Sequence, residues 1–322
     1  MSACLLGDPV RFDGNHKRDS FLVDVLGPHV RWVPVCPEME AGFGTPRDPM
    51  RLVLHGSSTR SRGSRFDAAN LGLVVTRTGV DVTESLVRTA RERVEWLIAQ
   101  DLCGFVLKQD SPSCGMERVN VYIDGVAEPR GRGLFAEALI ARLPNLPIED
   151  EGRLSDARLR ENFVERVFAY QRLRALFGSK WKVADLVRFH IGHKLTLMAH
   201  SRTAYDALGR LVTDAKRRRG KALADEYEVG FMKALSAVAT TARHGSVFHH
   251  MLGYLRNGLD PTARAELLSV VENHRRGRVP LVVPLALFRR HVQRQGVKYL
   301  KQQTYLDPHP GELSLAMSEG RR

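Results

Sequence analysis

Apolar positions in the first 150 residues fall into short runs separated by segments with helical spacing. Strands are predicted over residues 30–35, over residues 104–108 and over Val119–Ile123. Helices are predicted from about Asp81 or Thr83, where an apolar stripe begins at Leu86, and over residues 133–143. Strand–helix–strand order is typical of an α/β domain with a largely parallel sheet and flanking helices. In such sheets ligands bind beyond the carboxyl ends of the strands, so loops distant in sequence can meet at one site.

The pattern becomes helical almost throughout from residue 156 onward, after an acidic, glycine-containing stretch over residues 149–153. Asp260 and Pro261 form a strong helix start, because Asp caps a helix and Pro suits its first turn. We therefore predict an α/β domain over residues 1–150 and an all-α domain over residues 155–322. The predicted helices cover residues 156–177, 182–201, 204–218, 221–242, a histidine-rich segment to about 259, 261–275 and 284–300.

Four cysteines are too few for a secreted disulfide framework in a chain of 322 residues. Cys4, Cys36 and Cys114 each lie in a turn setting with Gly or Pro nearby, whereas Cys103 lies in an apolar run that indicates core packing. Four protein thiolates close a structural metal site, but three leave one position open for water or substrate. Because no Cys-x-x-Cys spacing occurs, three separate loops gripping a metal or an iron–sulfur cluster are favoured, with core packing as the alternative.

Two polar residues accompany these cysteines. Glu38 lies two positions after Cys36, and Ser111 lies three before Cys114 in a Ser-Pro turn. A carboxylate beside a metal centre can act as general acid or base, and a neighbouring hydroxyl can hold a water. The alternative is that Glu38 is an ordinary loop carboxylate and Ser111 a turn former.

Several sequence motifs resemble the bacterial thiouracil desulfidase family over roughly residues 1–145. They occur in order as Cys-Leu-Leu-Gly, Val-Arg-Phe-Asp-Gly, Val-Cys-Pro-Glu-Met-Glu-Ala-Gly, Pro-Arg-Asp-Pro-Met-Arg-Leu-Val and Ser-Pro-Ser-Cys-Gly. The resemblance implies that Cys4, Cys36 and Cys114 hold a 4Fe-4S cluster whose fourth iron binds the sulfur of a thiolated base. It also implies that Glu38 and Ser111 are the catalytic residues.

The helical half resembles the domain that is often fused behind this desulfidase domain, notably over residues 188–201 and 301–310. Two-domain members are associated with removal of sulfur from 4-thiouridine in transfer RNA. The resemblance therefore implies a tRNA 4-thiouridine desulfidase that produces uridine and sulfide without net redox change.

A formal net charge of +13 favours a polyanionic partner. One dense cationic cluster covers residues 216–221, and eight Lys or Arg without an acid lie over residues 275–301. A solvated surface and a favourable charge at a helix end are the alternative explanation. RNA as the partner is favoured, because two such stretches follow a domain that processes bases. The candidate RNA-binding residues are Lys194, Arg217, Arg218, Arg219, Arg289 and Arg290.

Histidines recur on one predicted helix face at His190, His193 and His200, and His249 and His250 form a further pair. Because no carboxylate lies at a matching offset, packing or RNA contact is favoured over a second metal site.

No apolar run reaches the ~20 residues that span a bilayer, and no signal-peptide pattern opens the chain. We expect a cytoplasmic protein that binds neither membrane nor DNA, and the sequence leaves its oligomeric state open. Two other functions remain: a desulfidase of free thiouracil-type bases, and a non-catalytic RNA-binding sensor that carries a cluster.

Overall fold

The computed structural model describes residues 1–54, 70–218, 220–313 and 317. It divides into two compact units, Met1–Asp156 and Ala157–Arg322, which we call unit 1 and unit 2. Unit 1 contains the described strands with their flanking helices, and unit 2 is helical. The predicted α/β plus all-α class is therefore confirmed.

The described strands of unit 1 are β1 (Met50–Leu54), β2 (Leu71–Val75), β3 (Phe105–Leu107), β4 (Val119–Ile123), β5 (Val126–Gly131) and β6 (Ile148–Asp150). Its α-helices are α1 (Pro37–Glu40), α2 (Thr83–Ile98) and α3 (Leu134–Arg142). One sheet has the strand order β2-β1-β4-β5, and β3 pairs with β6 in a second sheet. The pairing is mixed rather than largely parallel, because β1 with β2 and β4 with β5 are antiparallel.

Helix α2 begins at Thr83 and buries the predicted stripe, but neither Asp81 nor Thr83 caps it, because Val82 occupies the N-cap position and no side chain caps the helix there. Asp81 accepts a hydrogen bond from the backbone N–H of Thr83 at 2.8 Å. Leu86, Ala90 and Val94 then lie buried at helical spacing, which packs α2 into unit 1.

The strand predicted over residues 30–35 is absent. Only Val35 pairs, in an isolated parallel bridge with Ser2. Pro34 has no N–H to donate to a strand ladder, and Val35 exchanges hydrogen bonds with Met1 and Ala3 instead. This pairing brings the start of the chain beside Cys36.

The α-helices of unit 2 are α4 (Ala157–Phe177), α5 (Val183–Gly192), α6 (Lys194–His200), α7 (Arg202–Thr213), α8 (Lys221–Ser236), α9 (Thr241–Leu255), α10 (Pro261–Arg275), α11 (Val282–Gln295) and α12 (Lys298–Lys301). A buried cluster that includes Phe248, Met251 and Phe288 forms part of their core.

A single helix predicted over residues 182–201 is divided at His193 into α5 and α6. The carbonyl of Ile191 accepts a hydrogen bond from the Gln303 side chain at 2.8 Å, and that of Gly192 accepts one from the Thr304 N–H at 2.9 Å. These distant partners replace the helical hydrogen bonds, which is why local periodicity does not reveal the break.

Charge is distributed unequally between the units. Residues 157–322 contain 30 Lys and Arg against 14 Asp and Glu, a formal charge of +16, whereas residues 1–156 contain 19 against 22, a formal charge of −3. The whole basic excess of the chain therefore lies in unit 2. No described helix has the length and apolar character needed to cross a membrane.

Candidate metal centre and adjacent carboxylate

Three cysteines line one cavity of about 470 Å³ in unit 1. Cys4 lies in a 3-10 turn over Ala3–Leu5, Cys36 is the residue before α1, and Cys114 lies in the turn that precedes β4. Their segments are far apart in the sequence, so only the folded unit brings the three sulfur atoms to a common space.

Backbone hydrogen bonds hold the Cys4 turn between two other segments. The N–H of Ser2 donates to the carbonyl of Val106 at 2.9 Å, and the N–H of Ala3 donates to that of Val35 at 2.9 Å. Cys4 therefore faces the cavity from beside the carboxyl end of β3, in agreement with the position expected for ligands of α/β sheets.

The Cys114 turn is fixed by Ser111 from within and by α3 from outside. The Ser111 hydroxyl accepts hydrogen bonds from the N–H of Cys114 at 3.1 Å and of Ser113 at 3.3 Å. The N–H groups of Phe135 and Ala136 donate to the Ser113 carbonyl at 3.0 and 3.2 Å. The first turn of α3 therefore serves as the support of this loop.

Gly133 permits that close approach. A Cβ at this position would lie 2.4 Å from the carbonyl carbon and oxygen of Ser113, and 2.8 Å from the nitrogen of Cys114. Only a residue without a side chain fits between α3 and the cysteine turn.

Glu38 faces the same cavity within a hydrogen-bonded network. Its Oε1 accepts a hydrogen bond from the Ser113 hydroxyl at 2.5 Å, and the Ser113 and Ser111 hydroxyls are 2.9 Å apart. Its Oε2 contacts Arg47 Nε at 2.8 Å and also Arg47 Nη2. Ser113 therefore contacts Glu38 directly, whereas Ser111, the serine chosen from the sequence, lies one hydroxyl further away.

Arg47 and Glu38 form an ion pair with little exposure, 8% and 11% for the two side chains. Arg47 also donates to the carbonyls of Gly44 at 2.6 Å and Val10 at 3.1 Å. The planar guanidinium thus fixes the carboxylate and two backbone segments at once.

Burial raises the pKa of the Cys4 thiol to about 11, and it also raises the pKa values of Cys36 and Cys114. The nearby charge of Glu38 raises the pKa of Cys114 further. The positive charge of Lys108 opposes the shift of the Cys4 pKa. These thiols lose their protons when they ligate a metal, so high pH favours metal binding.

The donor set suits a soft metal or an iron–sulfur cluster, because thiolates select zinc, copper(I) and iron–sulfur centres. Within the described ranges, no three His, Cys, Asp or Glu side chains are arranged to hold a single metal ion. Cys4, Cys36 and Cys114 nevertheless line the same cavity.

An aromatic ring lies at the cavity mouth. Phe12 lines the cavity and is 43% exposed, with the Arg11 guanidinium 5.8 Å from its ring centroid. Its loop is held in place, since the Phe12 carbonyl accepts from the Arg47 N–H at 2.8 Å and the Arg11 carbonyl from the Thr45 hydroxyl at 2.8 Å.

Sequence reasoning did not assign roles to Ser113, Arg47 or Phe12. Each lies inside a motif that carried the family resemblance, which was the available signal. Cys103 does not line the cavity, in agreement with its separation from the other three cysteines in the sequence analysis. It is not a core residue, however, because it is half-buried in a turn before β3.

The candidate RNA-binding residues occupy several segments of unit 2. Lys194 is half-buried on α6, and Arg217 and Arg218 are exposed after α7, where Arg218 pairs with Glu226 at 2.8 Å. Arg219 lies outside the described residues. On α11, Arg290 is exposed and Arg289 pairs with Asp307 at 3.0 Å.

The histidines of α5 and α6 are buried and pack against partners within unit 2. His190 Nδ1 lies 3.1 Å from the Tyr227 hydroxyl, and His193 Nδ1 donates to the Phe189 carbonyl at 2.8 Å. His200 Nε2 contacts Glu165 at 3.0 Å, a carboxylate on α4 that no local offset could reveal.

Comparisons with known proteins place this site in a family. The model of the 2-thiouracil desulfurase family matches residues 1–151, and that of a family described as a protein of unknown function (DUF1722) matches residues 194–310. The chain belongs to the 2-thiouracil desulfurase family through unit 1.

Two curated relatives are described as uncharacterized. YbbK of Bacillus subtilis (strain 168) is 32% identical over 116 residues, which are 36% of this chain and 71% of that protein. YbgA of Escherichia coli (strain K12) is 28% identical over 162 residues, 50% of this chain and 96% of that protein. A solved structure of the [4Fe-4S]-dependent thiouracil desulfidase TudS is 33% identical and covers 48% of this chain and 91% of its own, with a TM-score of 0.36.

Proposed function

We propose that this protein removes sulfur from 4-thiouridine in tRNA and releases uridine and sulfide. The observation that carries the proposal is the convergence of three thiols and Glu38 on one cavity in a unit of the 2-thiouracil desulfurase family. The same chain continues into a unit of formal charge +16.

Cys4, Cys36 and Cys114 would hold a 4Fe-4S cluster, because their soft sulfur donors suit it and three ligands leave one iron open. When bound, the cluster supplies a Lewis-acidic iron that polarises the thiocarbonyl of the base. The reaction exchanges a carbon–sulfur bond for a carbon–oxygen bond with water as co-reactant, so no oxidant or reductant is consumed.

Glu38 accepts the proton of the attacking water. Held by Arg47 on one oxygen and by Ser113 on the other, the carboxylate has a fixed orientation at the cavity wall. It accepts a proton as water adds to carbon 4 and returns a proton to the departing sulfur, the two roles of a general base and acid. Ser111 supports this arrangement through Ser113 and the Cys114 turn.

Phe12 gives the base a surface at the entrance. Unstacked bases bind to aromatic side chains, and a nucleotide must leave its stack before it can enter an enclosed site. The ring is exposed at the mouth and its loop is held by hydrogen bonds, so it is ready to receive the base without rearrangement.

Unit 2 supports tRNA as the carrier of that base. A charge of +16 attracts a phosphate backbone through counterion release. Small uncharged bases carry no phosphate, so this contribution to the binding free energy is absent for them. The competing function is desulfuration of free thiouracil-type bases, which the description of the family that matches unit 1 favours.

The test uses anaerobically reconstituted full-length protein and three substrates: tRNA containing 4-thiouridine, the free nucleoside and free 2-thiouracil. We expect sulfide release and loss of 4-thiouridine absorbance to be most efficient with tRNA, and kcat/KM for tRNA alone to fall steeply with salt. Equal efficiency with the nucleoside, without salt dependence, would assign the protein to free bases. Absence of turnover with all three substrates would leave a cluster-containing sensor as the function.

A further inference from the structure

Six aromatic and cationic side chains from four helices of unit 2 form one surface, which we call the tyrosine patch. Its members are Lys194 on α6, Arg202 and Tyr205 on α7, His250 and Tyr254 on α9, and Tyr299 on α12. Sequence reasoning selected Lys194 as an RNA-binding candidate and noted His250, but not the other four, because contacts within the patch join residues that are up to 105 positions apart.

Lys194 lies at the centre of the patch. Its Nζ is 5.8 Å from the ring centroid of Tyr205 and 5.8 Å from that of Tyr299. Tyr254 stacks on Tyr299 with centroids 4.7 Å apart and an interplanar angle of 30°. The ammonium group therefore contacts rings from two other helices, and Tyr254 on a third helix joins them through Tyr299.

The edge of the patch is open to solvent. Tyr254 is 44% exposed, a high value for a large aromatic side chain, and the Arg202 side chain is 65% exposed. The Arg202 guanidinium lies 5.5 Å from the Tyr205 ring centroid, and His250 lies 5.4 Å from that of Tyr254. The exposed Tyr254 ring is joined through Tyr299 and Lys194 to Tyr205 and Arg202, so one surface combines a ring for stacking with positive charge.

The rings have fixed positions before any partner arrives. Tyr205 stacks on the buried His190, with centroids 5.5 Å apart and an interplanar angle of 3°. Tyr299 is half-buried between Lys194 and Tyr254. A partner that stacks on this surface loses little free energy to ordering of the protein.

The patch contrasts with other cationic positions of unit 2. Arg275 and Arg276 both pair with Glu272, and Lys221 pairs with Asp225. In the tyrosine patch, Arg202 contacts Asp206, and no described carboxylate forms an ion pair with Lys194. The positive charge of Lys194 therefore remains available to a phosphate.

We propose that the tyrosine patch binds unpaired nucleotides of an RNA loop, with a base stacked on Tyr254 and the adjoining phosphates against Lys194 and Arg202. Aromatic rings next to cationic side chains are the elements that single-stranded nucleic acids use, because every base has a π face and every nucleotide a phosphate. A duplex offers phosphates but keeps its bases stacked, so it cannot use the ring. The inference rests on the proposed tRNA function and specifies where unit 2 makes contact.

The experiment measures binding of fluorescein-labelled, unmodified tRNA to the full-length protein by anisotropy, so that no turnover occurs. Tyr254→Ala is expected to raise Kd about 5- to 100-fold, the range found when a base loses its aromatic partner, whereas Tyr254→Phe retains the wild-type Kd. Lys194→Gln is expected to lower the slope of log K against log salt by about 1. A blunt RNA duplex is expected to bind wild type and Tyr254→Ala equally.

Matched controls separate this inference from the proposed function. Lys221→Gln removes an exposed cation of unit 2 outside the patch and is expected to change Kd less than Lys194→Gln does. The circular dichroism spectrum and the melting temperature of Tyr254→Ala must equal those of wild type, which excludes misfolding of unit 2. Wild-type affinity for tRNA in Tyr254→Ala overturns the patch alone. Failure of the wild type to bind tRNA at low salt overturns the tRNA function as well, and displacement of tRNA by an acidic peptide but not by single-stranded RNA indicates a protein partner.

Discussion

The Ser113 hydroxyl donates a 2.5 Å hydrogen bond to Glu38, a residue 75 positions earlier in the chain. The next residue after Ser113 is Cys114, which ties the carboxylate to one of the three thiols. The cavity is therefore a single assembly of charge, hydroxyl and sulfur.

Removal of the carboxylate of Glu38 is expected to slow the reaction without loss of iron. Glu38→Gln keeps the shape of the side chain but cannot accept a proton, so kcat should fall about 10²- to 10⁴-fold. Glu95→Gln is the control, because Glu95 lies in unit 1 outside the cavity lining and pairs with Arg142 at 2.8 Å. Anaerobic kinetics with iron determination check this, and equal losses in both variants would contradict the role of Glu38.

Substitution of the two serines is expected to affect different properties, kcat for Ser113 and iron content for Ser111. Ser113→Ala leaves the Glu38 carboxylate without its 2.5 Å donor, so kcat per bound iron should fall about 10- to 100-fold. Ser111→Ala removes the acceptor for two N–H groups of the cysteine turn, so iron content should fall first. Kinetics normalised to iron distinguish them; a lower kcat per iron only in Ser111→Ala would restore the choice made from sequence.

Cysteine variants are expected to divide into two groups. Cys4→Ser, Cys36→Ser and Cys114→Ser each remove a thiol that lines the cavity, so reconstituted protein should contain little iron and sulfide. Cys103→Ser should retain both, since Cys103 lies outside the cavity lining. Full iron content in a Cys36→Ser variant would exclude the three-cysteine ligand set.

Gly133→Ala is expected to displace the Cys114 turn. Its Cβ would lie 2.4 Å from backbone atoms of Ser113, which cannot yield as a flexible side chain can. Overpacking of this kind costs about 1–3 kcal/mol, so both the melting temperature and iron content should fall. Gly253→Ala is the control: a Cβ there meets nothing within 4 Å, and α9 should gain about 0.5–1 kcal/mol or stay unchanged. Calorimetry of both variants checks the contrast.

Unit 2 is expected to lose stability as pH falls below 6.5. Burial lowers the pKa of His190 to about 4 and those of His193 and His244 to about 3, below the ordinary value of 6.5. Between these values the unfolded chain binds more protons, so each histidine contributes a slope of about 1.4 kcal/mol per pH unit.

His200 acts in the opposite direction. Burial has the largest single effect and lowers its pKa, but the charge of Glu165 and the hydrogen bonds to Glu165 and to the Ala237 carbonyl together outweigh burial and raise it. Its contribution is therefore complete below pH 6.5 and is lost as pH rises through the raised pKa. Urea unfolding followed by circular dichroism between pH 5 and 6 should show a smaller slope in His244→Gln than in wild type. An unchanged slope in His244→Gln would contradict the assignment.

Local patterns were sufficient for the elements that depend on local forces. The stripe of α2 and the Asp260–Pro261 start of α10 appear where sequence predicts them, because spacing determines the first and capping the second. The break at His193 and the lost strand over residues 30–35 depend on partners at Gln303 and at the start of the chain, which periodicity cannot register.

The site shows the same division. Turn chemistry and family motifs identified the three cysteines and Glu38, but the side chain that contacts Glu38 could not be chosen between Ser111 and Ser113 from spacing. That choice follows from the orientation of the turn on α3, a tertiary relationship. Similarly, clusters of basic residues in the sequence included Arg218 and Arg289, which form ion pairs with Glu226 and Asp307. The tyrosine patch joins helices that are distant in the sequence, so no local cluster indicates it.

The support of the Ser113 carbonyl by Phe135 and Ala136 has a consequence for the order in which the protein is made. A nascent chain that ends before residue 136 contains all three cysteines and Glu38, yet it lacks donors that hold the last cysteine turn. The pocket is complete only after the ribosome has passed this point, with most of unit 2 still to be translated. Loading with iron would therefore be possible before unit 2 has been completed.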